Sequence, residues 1–426
     1  MQEQLVALLK KKGTGTTMGK SLSSEELLLL SECMISNECH LTTKATILTA
    51  FLMLENTEIE TDWFASFKST PQELHFLMSD TVTHPTLRAP LPRGDENFRQ
   101  ILLRVVHGEN LSRSEMQEAM TYFFDPKIPE YEKAIFMEAE RLKRENRDEN
   151  LGCFDALWAR SLHQPVSCPI LVDLSVGYDG FNRTLCLWPF VAPLLASVGV
   201  PTVIHGVESV SPKFGVTPHL ILKAAGKNPL KSLVEVARDI ETPSIGWGYV
   251  DQAVSFPELY ALQPLRTHMV KRPVLSTLEK LMQPIRSAQG NYVVTGYTHP
   301  PYRDTMTHLL DDSAKTNHYM ILRGQEGSIQ LPLDRRAPIV CGDGEEFVRP
   351  ETYGFGSDRV LPNESLGVQD SLDAGLAVLS GRDKGEARET VLYLASVILD
   401  RFGIVPERSL VEALDSGLAL GFFEAF

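Results

Sequence analysis

The chain has 426 residues, of which 43% are hydrophobic and 23% charged, and its formal net charge is −14 at pH 7. This length accommodates a large domain with a smaller companion, and the composition is that of a globular protein. Because a negatively charged molecule repels phosphate backbones at a distance, nucleic-acid binding would need a local basic patch.

The cysteines and the first residues bear on the cellular compartment. Six cysteines are scattered without a CxxC pair: Cys33, Cys39, Cys153, Cys168, Cys186 and Cys341. The start, MQEQLVALLKKK, has no apolar signal core or spanning segment. We therefore predict a cytoplasmic protein with reduced thiols, no structural zinc and no membrane contact.

Residues 1–117 are predicted to form a small N-terminal helical domain. SLSSEELLLLSECMI offers Ser23 as an N-cap with Glu26 three residues later, the spacing of a capping box. Two further apolar stretches, Ala45–Leu54 and Phe98–Val106, are typical of helices.

Two segments of this portion are predicted loops. The proline-rich THPTLRAPLPRGD, residues 83–95, cannot continue a helix. The flexible GTGTTMG is flanked by the lysines Lys10, Lys11, Lys12 and Lys20, which would suit a phosphate backbone. A solvated helix end followed by a loop explains the same pattern, and we favour this simpler interpretation.

A long charge-rich helical segment runs over 129–162, with Gly152 as its expected interruption. Its acidic and basic residues recur at three- and four-residue spacings, as on an exposed helix face. We assign residues 118–165 to connector helices, and residues 166–426 to a larger α/β domain. Helices from about 229–285 are expected to complete the N-terminal domain.

The hydrophobic pattern changes period after residue 166. Ile170–Leu174 is a predicted buried strand, residues 181–199 a predicted helix, and PTVIHG at 201–206 a second strand. Thr217, followed by a proline, is the predicted N-cap of the next helix. This succession predicts an α/β fold with a central, mostly parallel sheet, right-handed crossovers and helices on both faces.

Two later strands, NYVVTGY and HYMILRG, each lead into a polar loop. The first loop holds His299, and the second holds Arg323 and Glu326. Ligands collect at the carboxyl ends of the strands in open α/β sheets. His299 and Glu326 are therefore candidate catalytic residues, and Arg323 is a candidate anion contact.

The glycine turn VGYDG after the first strand is a candidate phosphate site. Backbone N–H groups in a glycine turn ahead of a helix converge on a phosphate, and the helix N-terminus adds partial positive charge. Asn182 and Thr184 would add side-chain donors, as would Ser209, Ser211 and Lys213 from the loop after the second strand. Taken alone, the turn is more typical of a structural corner. Its recurrence as a glycine- and hydroxyl-rich loop at the next strand end favours the phosphate site.

These residues resemble a known family. DLSVGYDGFNRT and IHGVESVSPKFGVTPHLILKAAG are similar to the two ligand loops of anthranilate phosphoribosyltransferase and the related pyrimidine nucleoside phosphorylases, which have GTGGDG with NxST and KHGN with a serine-rich continuation. GYTHPPY, LRGQEG and the LLKKKGTG near the start resemble the divergent anthranilate phosphoribosyltransferase-like paralogues of this glycosyltransferase family 3. The chain is identified as a member of this family.

The resemblance implies a small helical domain packed on an α/β domain, an active site in the cleft between them, and a homodimer formed through the helical domain. It assigns phosphate or ribosyl-diphosphate binding to the positions that match the family's ligand loops: Gly177, Asp179, Gly180, Asn182, Thr184, His205, Gly206, Ser209, Ser211, Lys213 and Gly215. Arg266 falls where the family has an arginine that faces the aromatic acceptor.

Several positions depart from the family pattern. Ile204 and Val207 replace the lysine and asparagine of KHGN, and Val176 and Tyr178 replace the threonine and one glycine of GTGGDG. Aliphatic groups thus stand where a cation and an amide would face the phosphate and the acceptor.

The clearest departure concerns magnesium. Ile329 and Gln330 stand where the family has the adjacent Asp-Glu pair that holds Mg²⁺, and Mg²⁺ prefers carboxylate oxygens. Glu326 and Asp334 are a weaker alternative metal site from a neighbouring loop. The Mg²⁺ that the family would imply is therefore in question, and efficient anthranilate transfer is not expected.

Two functions from different classes follow. The first is a divergent phosphoribosyl- or glycosyltransferase that binds a phosphorylated ribosyl ligand and uses an unidentified acceptor. The alternative is a non-catalytic paralogue that binds nucleic acid through a basic dimer groove. The alternative requires Lys143 and Arg144 to gather on one face with the lysines at 10–12 and 20.

Overall fold

The computed structural model describes residues 1–15, 18–66, 71–78, 95–316, 318–342, 344–356 and 366–426. The predicted proline-rich loop lies, apart from its last residue, outside the described residues, as do two residues of the GTGTTMG segment. No helix in the described ranges is long and apolar enough to cross a membrane.

The helices, numbered in chain order, are α1 (Gln2–Lys12), α2 (Ser24–Ile35), α3 (Leu41–Met53), α4 (Glu58–Ser66), α5 (His75–Met78), α6 (Glu96–Val106), α7 (Arg113–Phe124), α8 (Glu130–Lys143), α9 (Arg147–Arg160), α10 (Val191–Ser197), α11 (Pro218–Ala224), α12 (Leu233–Glu241), α13 (Gln252–Ser255), α14 (Pro257–Tyr260), α15 (Gln263–Met269), α16 (Leu275–Leu278), α17 (Pro300–Ser313), α18 (Val368–Leu379), α19 (Glu386–Phe402), α20 (Leu410–Asp415) and α21 (Leu418–Ala425). The strands are β1 (Gln164–Val166), β2 (Val172–Ser175), β3 (Thr202–Gly206), β4 (Trp247–Asp251), β5 (Ile285–Ser287), β6 (Tyr292–Gly296), β7 (His318–Leu322), β8 (Ala337–Cys341) and β9 (Gly344–Val348).

The chain divides into two compact units. The first comprises Met1–Ala156 and Leu262–Leu275, and the second comprises Leu157–Ala261 and Ser276–Phe426. Residues 118–156, which we assigned to connector helices, lie in the first unit, because α8 packs on α3 and α6. Helix α15 returns to the same unit and also packs on α3 and α8.

The N-terminus of α2 agrees with the sequence prediction. Ser23 accepts a hydrogen bond from the backbone N–H of Glu26, whose side chain accepts one from Ser23 in return, which confirms the capping box. The long segment after residue 129, however, is two helices rather than one interrupted at Gly152. The break follows α8, at Arg144, whose φ is +68°.

Gly152 has a packing role instead. It lies inside α9, and a Cβ at this position would collide with the carbonyl oxygen of Arg113 and lie 2.8 Å from Cβ of Met116. The glycine therefore lets α9 approach α7 closely, so it marks a helix contact and not a helix end.

The second unit is built on a seven-stranded sheet with the order β4-β3-β2-β6-β7-β8-β9. The first five strands in this order are parallel, and β8 and β9 extend the sheet antiparallel. One face carries the core around α10, α19 and α21, and the other packs against α12. The predicted fold class, a mostly parallel sheet with helices on both faces, is confirmed.

The strand order creates a switch point beside β2. From β2 the chain proceeds to β3 and then β4 on one side, whereas β6 and β7 are added later on the other side. Where the connections from two neighbouring strands run in opposite directions, a crevice forms at the carboxyl ends of those two strands. The glycine turn after β2 and the loops after β6 and β7 all lie at this edge.

The helix predicted over 181–199 is shorter than expected. Residues 181–187 are not helical; a 3₁₀ turn covers Trp188–Phe190, and α10 begins only at Val191. The backbone N–H groups of Cys186 and Leu187 donate to the side chains of Ser371 and Gln330. These distant partners hold the segment in an irregular, non-helical path, so the glycine turn does not lead directly into a helix.

Candidate functional site

The two predicted ligand loops pair with each other. The N–H of Phe181 donates to the carbonyl of Val216 at 3.0 Å, and the N–H of Val216 donates back to Phe181 at 2.7 Å. The N–H of Gly215 also donates to the carbonyl of Asp179 at 2.8 Å. The loop after β2 and the loop after β3 therefore form one surface at the edge of the sheet.

This pairing depends on Gly180. Its φ is +77°, and a Cβ there would lie 2.7 Å from the carbonyl carbon of Gly215. Both the left-handed conformation and the close approach of two backbones exclude a side chain. The two glycines, matched to the family's ligand loops by resemblance, also have this structural role.

A buried polar chain lies beneath the loops. The phenol of Tyr178 hydrogen-bonds Nδ1 of His205, whose Nε2 lies 3.1 Å from Oδ1 of Asp173. Oδ2 of Asp173 accepts a hydrogen bond of 3.0 Å from the Asn291 side chain. Tyr178 also donates to the carbonyl of Glu279 at 3.1 Å. Its ring thus lies inside the unit, where it orients His205 at the end of β3.

Lys280 is a polar residue of this region that our sequence reasoning missed. It is buried, and its Nζ donates to the carbonyl of Gly296, the last residue of β6, at 2.7 Å. Burial lowers the pKa of Lys280 to about 8, against the opposing charges of Glu279 and Asp179. The only signal was a charged Glu-Lys pair inside the apolar run VLSTLEKLM.

Glu326 is the centre of a polar cluster formed by the loop after β2, Lys213 and the loop after β7. Its carboxylate accepts hydrogen bonds from the backbone N–H groups of Asn182, Arg183 and Thr184 at 3.3, 2.9 and 3.1 Å. The Thr184 hydroxyl donates at 3.3 Å, and Nζ of Lys213 lies at 3.0 Å. Burial raises the pKa of Glu326, but Lys213 and the backbone donors outweigh it and lower the pKa below its usual value.

The loop after β7 holds Glu326 in place. The N–H of Gly324 donates to the carbonyl of Ser328 at 2.9 Å, which closes a tight turn. Within the turn, Glu326 has a φ of +52° and Gly327 a φ of +79°. A glutamate in the left-handed region is uncommon and is kept there only by surrounding contacts.

The contacts of Glu326 bear on its predicted metal role. The partners found for its carboxylate in the described chain are N–H groups, a hydroxyl and an ammonium. This carboxylate therefore acts as a hydrogen-bond acceptor among donors that already include the Lys213 ammonium, a setting that does not suit a metal ion.

The residues that stand at the positions of the family's Asp-Glu pair do not fit Mg²⁺ either. Ile329 is fully buried in the core. The Gln330 Oε1 accepts from the N–H groups of Leu187 and Trp188 at 2.8 and 3.1 Å, and its Nε2 donates to Leu185 at 2.9 Å. Both side chains thus have structural roles, and neither is left as a metal ligand.

Other predicted residues divide into two groups. The first group lies on or next to the paired loops. The loops themselves carry Gly177, Asp179, Gly180, Asn182, Thr184, Lys213 and Gly215, while His205 and Gly206 lie at the end of β3 and Ser209 and Ser211 in the loop that follows. Asn182 donates from its side chain to the carbonyl of Lys213 at 3.3 Å, so it joins the loops to each other.

The remaining candidates lie outside the paired loops. Arg323 directly follows β7, but its side chain is exposed. His299 precedes α17 and is also exposed, with its ring 6.5 Å from that of Tyr302. Arg266 lies on α15 in the helical unit and is almost fully buried there. Asp334 pairs with its neighbour Arg335 at 3.0 Å.

Comparison with known proteins shows what this chain is similar to. A family model for the helical bundle domain of the glycosyl transferase family matches residues 99–161. The chain is 29% identical over 307 residues to an uncharacterized protein of Aquifex aeolicus, which covers 72% of this chain and 92% of that protein. It is also 29% identical over 308 residues to the anthranilate phosphoribosyltransferase of Teredinibacter turnerae, covering 71% and 86%.

Solved structures share the fold. Anthranilate phosphoribosyltransferase from Thermus thermophilus matches with a TM-score of 0.64 at 23% identity, over 76% of this chain and 97% of that one. The Saccharomyces cerevisiae enzyme in complex with PRPP and Mg matches with a TM-score of 0.63 at 14% identity, over 77% and 97%. The architecture is therefore that of the anthranilate phosphoribosyltransferases. These comparisons confirm the resemblance predicted from the motifs: the chain is similar to the anthranilate phosphoribosyltransferases and, over residues 99–161, to the helical bundle domain of the glycosyl transferase family.

Proposed function

We propose that this protein binds a phosphorylated ribosyl ligand on the paired loops after β2 and β3. One observation carries the proposal: three consecutive backbone N–H groups, at 182–184, and the Lys213 ammonium converge on a single carboxylate. Such a convergence of donors is suited to the oxygens of a phosphate. The yeast relative was solved with PRPP and Mg, which supports this class of ligand.

The residues present favour binding over efficient anthranilate transfer. Displacing diphosphate from ribose builds charge on the leaving group, so catalysis depends on its electrostatic stabilisation. Here Ile204 replaces the family's lysine, and Ile329 and Gln330 replace its carboxylate pair. Each 1.36 kcal/mol of lost stabilisation costs about tenfold in rate. We therefore propose a divergent family member whose acceptor differs from anthranilate or is absent.

The side-chain pairs of the helical unit weigh against the nucleic-acid alternative. Nζ of Lys11 lies 2.6 Å from Glu26, and Lys12 is buried against Glu60 at 3.0 Å. Lys143 pairs with Glu149 at 2.6 Å. Lysines neutralised by carboxylates contribute little to phosphate binding. Homodimer formation and a cytoplasmic location stay predictions.

Calorimetric titration with phosphoribosyl diphosphate, with and without Mg²⁺, tests the proposal. We expect saturable binding that is lost in Gly180→Trp, because a side chain there would separate the paired loops. Gly344→Trp is the matched control, since a Cβ at this exposed glycine would meet no atom within 4 Å. The Glu326 carboxylate faces the same donors as the proposed ligand, so a variant that lacks it is titrated as well. The proposed function would be refuted if neither this variant nor the wild type gave any heat of binding.

A further inference from the structure

We infer that the Glu326 carboxylate is an intramolecular ligand of the anion site formed by residues 182–184 and Lys213. It occupies the place of a phosphate group, so that a phosphorylated ligand binds only by displacing it. This inference rests on the proposed function, because it takes phosphate to be the chemistry that the site recognises.

The donor geometry distinguishes this arrangement from an ordinary ion pair. A surface ion pair needs only one cation, which Lys213 supplies at 3.0 Å. Here the N–H groups of three successive residues and the Thr184 hydroxyl also face the same carboxylate. Successive N–H groups that point to one position form a concave anion site. A carboxylate and a phosphate both meet the requirements of such a site.

The donors come from a different part of the chain from Glu326. Asn182 and Thr184 precede Glu326 by more than 140 residues, and Lys213 precedes it by 113. The carboxylate reaches them from the turn after β7, on a side chain that is 8% exposed. Since the donors and the acceptor belong to separate loops, the contact can break without disrupting any helix or strand.

The turn that presents Glu326 carries a conformational cost. Its φ of +52° lies in the left-handed region, which costs a residue other than glycine free energy that the contacts at its carboxylate must offset. Gly327, with a φ of +79°, lies next to it. Displacement of the carboxylate by a stronger anion would free the turn to relax, which favours exchange over a permanent structural contact.

Intramolecular competition sets the expected effect on affinity. A tethered group competes at an effective concentration in the millimolar range, so it weakens a ligand that needs the same donors. Removal of the carboxylate also leaves Lys213 without its acidic partner. We therefore expect Glu326→Ala to bind inorganic diphosphate at least tenfold more tightly than the wild type. Glu326→Gln, which keeps the size and loses the charge, is expected to be intermediate.

The experiment is calorimetric titration of the full chain with inorganic diphosphate and with phosphoribosyl diphosphate. The proteins compared are wild type, Glu326→Ala, Glu326→Gln and Glu118→Ala, an exposed acidic residue of α7 whose loss changes the net charge equally. Circular dichroism checks that each variant folds. If Glu326→Ala does not fold, Glu326→Gln carries the test, because it can still accept hydrogen bonds from the loop.

The outcomes separate this inference from the proposed function. At least tenfold tighter binding by Glu326→Ala, with no change in Glu118→Ala, supports it. Equal affinity of all four proteins overturns it and leaves the proposed function standing. No binding by any protein overturns both, and equal strengthening in Glu326→Ala and Glu118→Ala assigns the effect to net charge and overturns this inference.

Discussion

Gly180 illustrates how one residue serves both structure and a candidate site. From the sequence, its glycine turn could be either a structural corner or a phosphate-binding turn. The structure shows a further role that sequence patterns did not reveal, which is the pairing of two loops. The positive φ and the contact with the backbone of Gly215 keep the two loops together. Because the candidate anion site is formed from these loops, the structural corner and the proposed site depend on each other.

Replacing Gly180 by alanine should destabilise the protein. The added Cβ would lie 2.7 Å from backbone atoms and would force a left-handed residue, so we expect a loss of about 2–4 kcal/mol in the free energy of unfolding. Urea unfolding followed by circular dichroism measures it. Gly344→Ala, in open space, should change it by less than about 0.5 kcal/mol. Equal effects of the two variants would contradict the prediction.

Lys280 gives a prediction about pH. Burial lowers its pKa to about 8, whereas an unfolded lysine titrates near 10.4. Between these two pKa values the unfolded state binds more protons than the folded state. The contribution of Lys280 to the free energy of unfolding therefore rises with pH in that window. The stability of the wild type relative to Lys280→Met should therefore increase by up to about 3 kcal/mol between pH 7.5 and pH 10.5. Urea unfolding at these pH values checks it, and a pH-independent difference would contradict it.

At the scale of elements, α8 buries acidic groups in the helical unit. Glu140 has no exposed surface, and it lies 3.3 Å from Lys143, which also pairs with Glu149. Burial, followed by the charge of Glu149, raises the pKa of Glu140 to about 8. The helix that we expected to be an exposed connector therefore carries a buried charged cluster. Helical spacing of charges indicates a helix, but it does not reveal which face is covered.

Glu140→Gln should stabilise the protein at alkaline pH. A carboxylate whose folded pKa is raised stabilises the fold below its unfolded pKa and loses that contribution as pH rises through its folded pKa. The gain of the glutamine variant over wild type should therefore grow between pH 5 and pH 8.5, by about 2–4 kcal/mol. Urea midpoints at the two pH values measure this gain. Glu118→Gln, exposed on α7, should show no such growth; a constant difference for Glu140→Gln would refute the assignment.

At the scale of the whole molecule, charge limits the choice of partner. The chain carries a formal net charge of −14, and the lysines at positions 11, 12 and 143 already pair with carboxylates. Both observations oppose the long-range attraction and counterion release that drive nucleic-acid binding. A small phosphorylated ligand needs only a local set of donors, which the loops after β2 and β3 supply.

We therefore expect no saturable binding of single-stranded DNA at physiological salt. Fluorescence polarisation of a labelled oligonucleotide should stay flat up to ~10 µM protein, within the range of weak non-specific binding. The same titration at low salt serves as the control, since electrostatic binding would appear there first. Submicromolar affinity with a steep dependence on salt would contradict this expectation and revive the nucleic-acid alternative.

The sequence by itself determined the features that depend on neighbouring residues. The capping box at Ser23, the N-cap at Thr217, the buried strand before the glycine turn and the two later strands all arise from short-range patterns. Strand and helix periods also predicted the α/β class, because each period reflects which side chains an element buries. The two glycine-rich loops were located by their position at successive strand ends, although their pairing was not predicted.

Only the tertiary structure decided the features that join distant segments. The side chain of Gln330 binds the backbone at Leu187 and Trp188, Lys280 reaches the end of β6, and Glu326 accepts hydrogen bonds from the N–H groups of 182–184. Local patterns contain no information about such partners, since the order of strands in the sheet brings them together. The sequence therefore located the candidate anion site, whereas the fold revealed that the chain supplies its own anion to it.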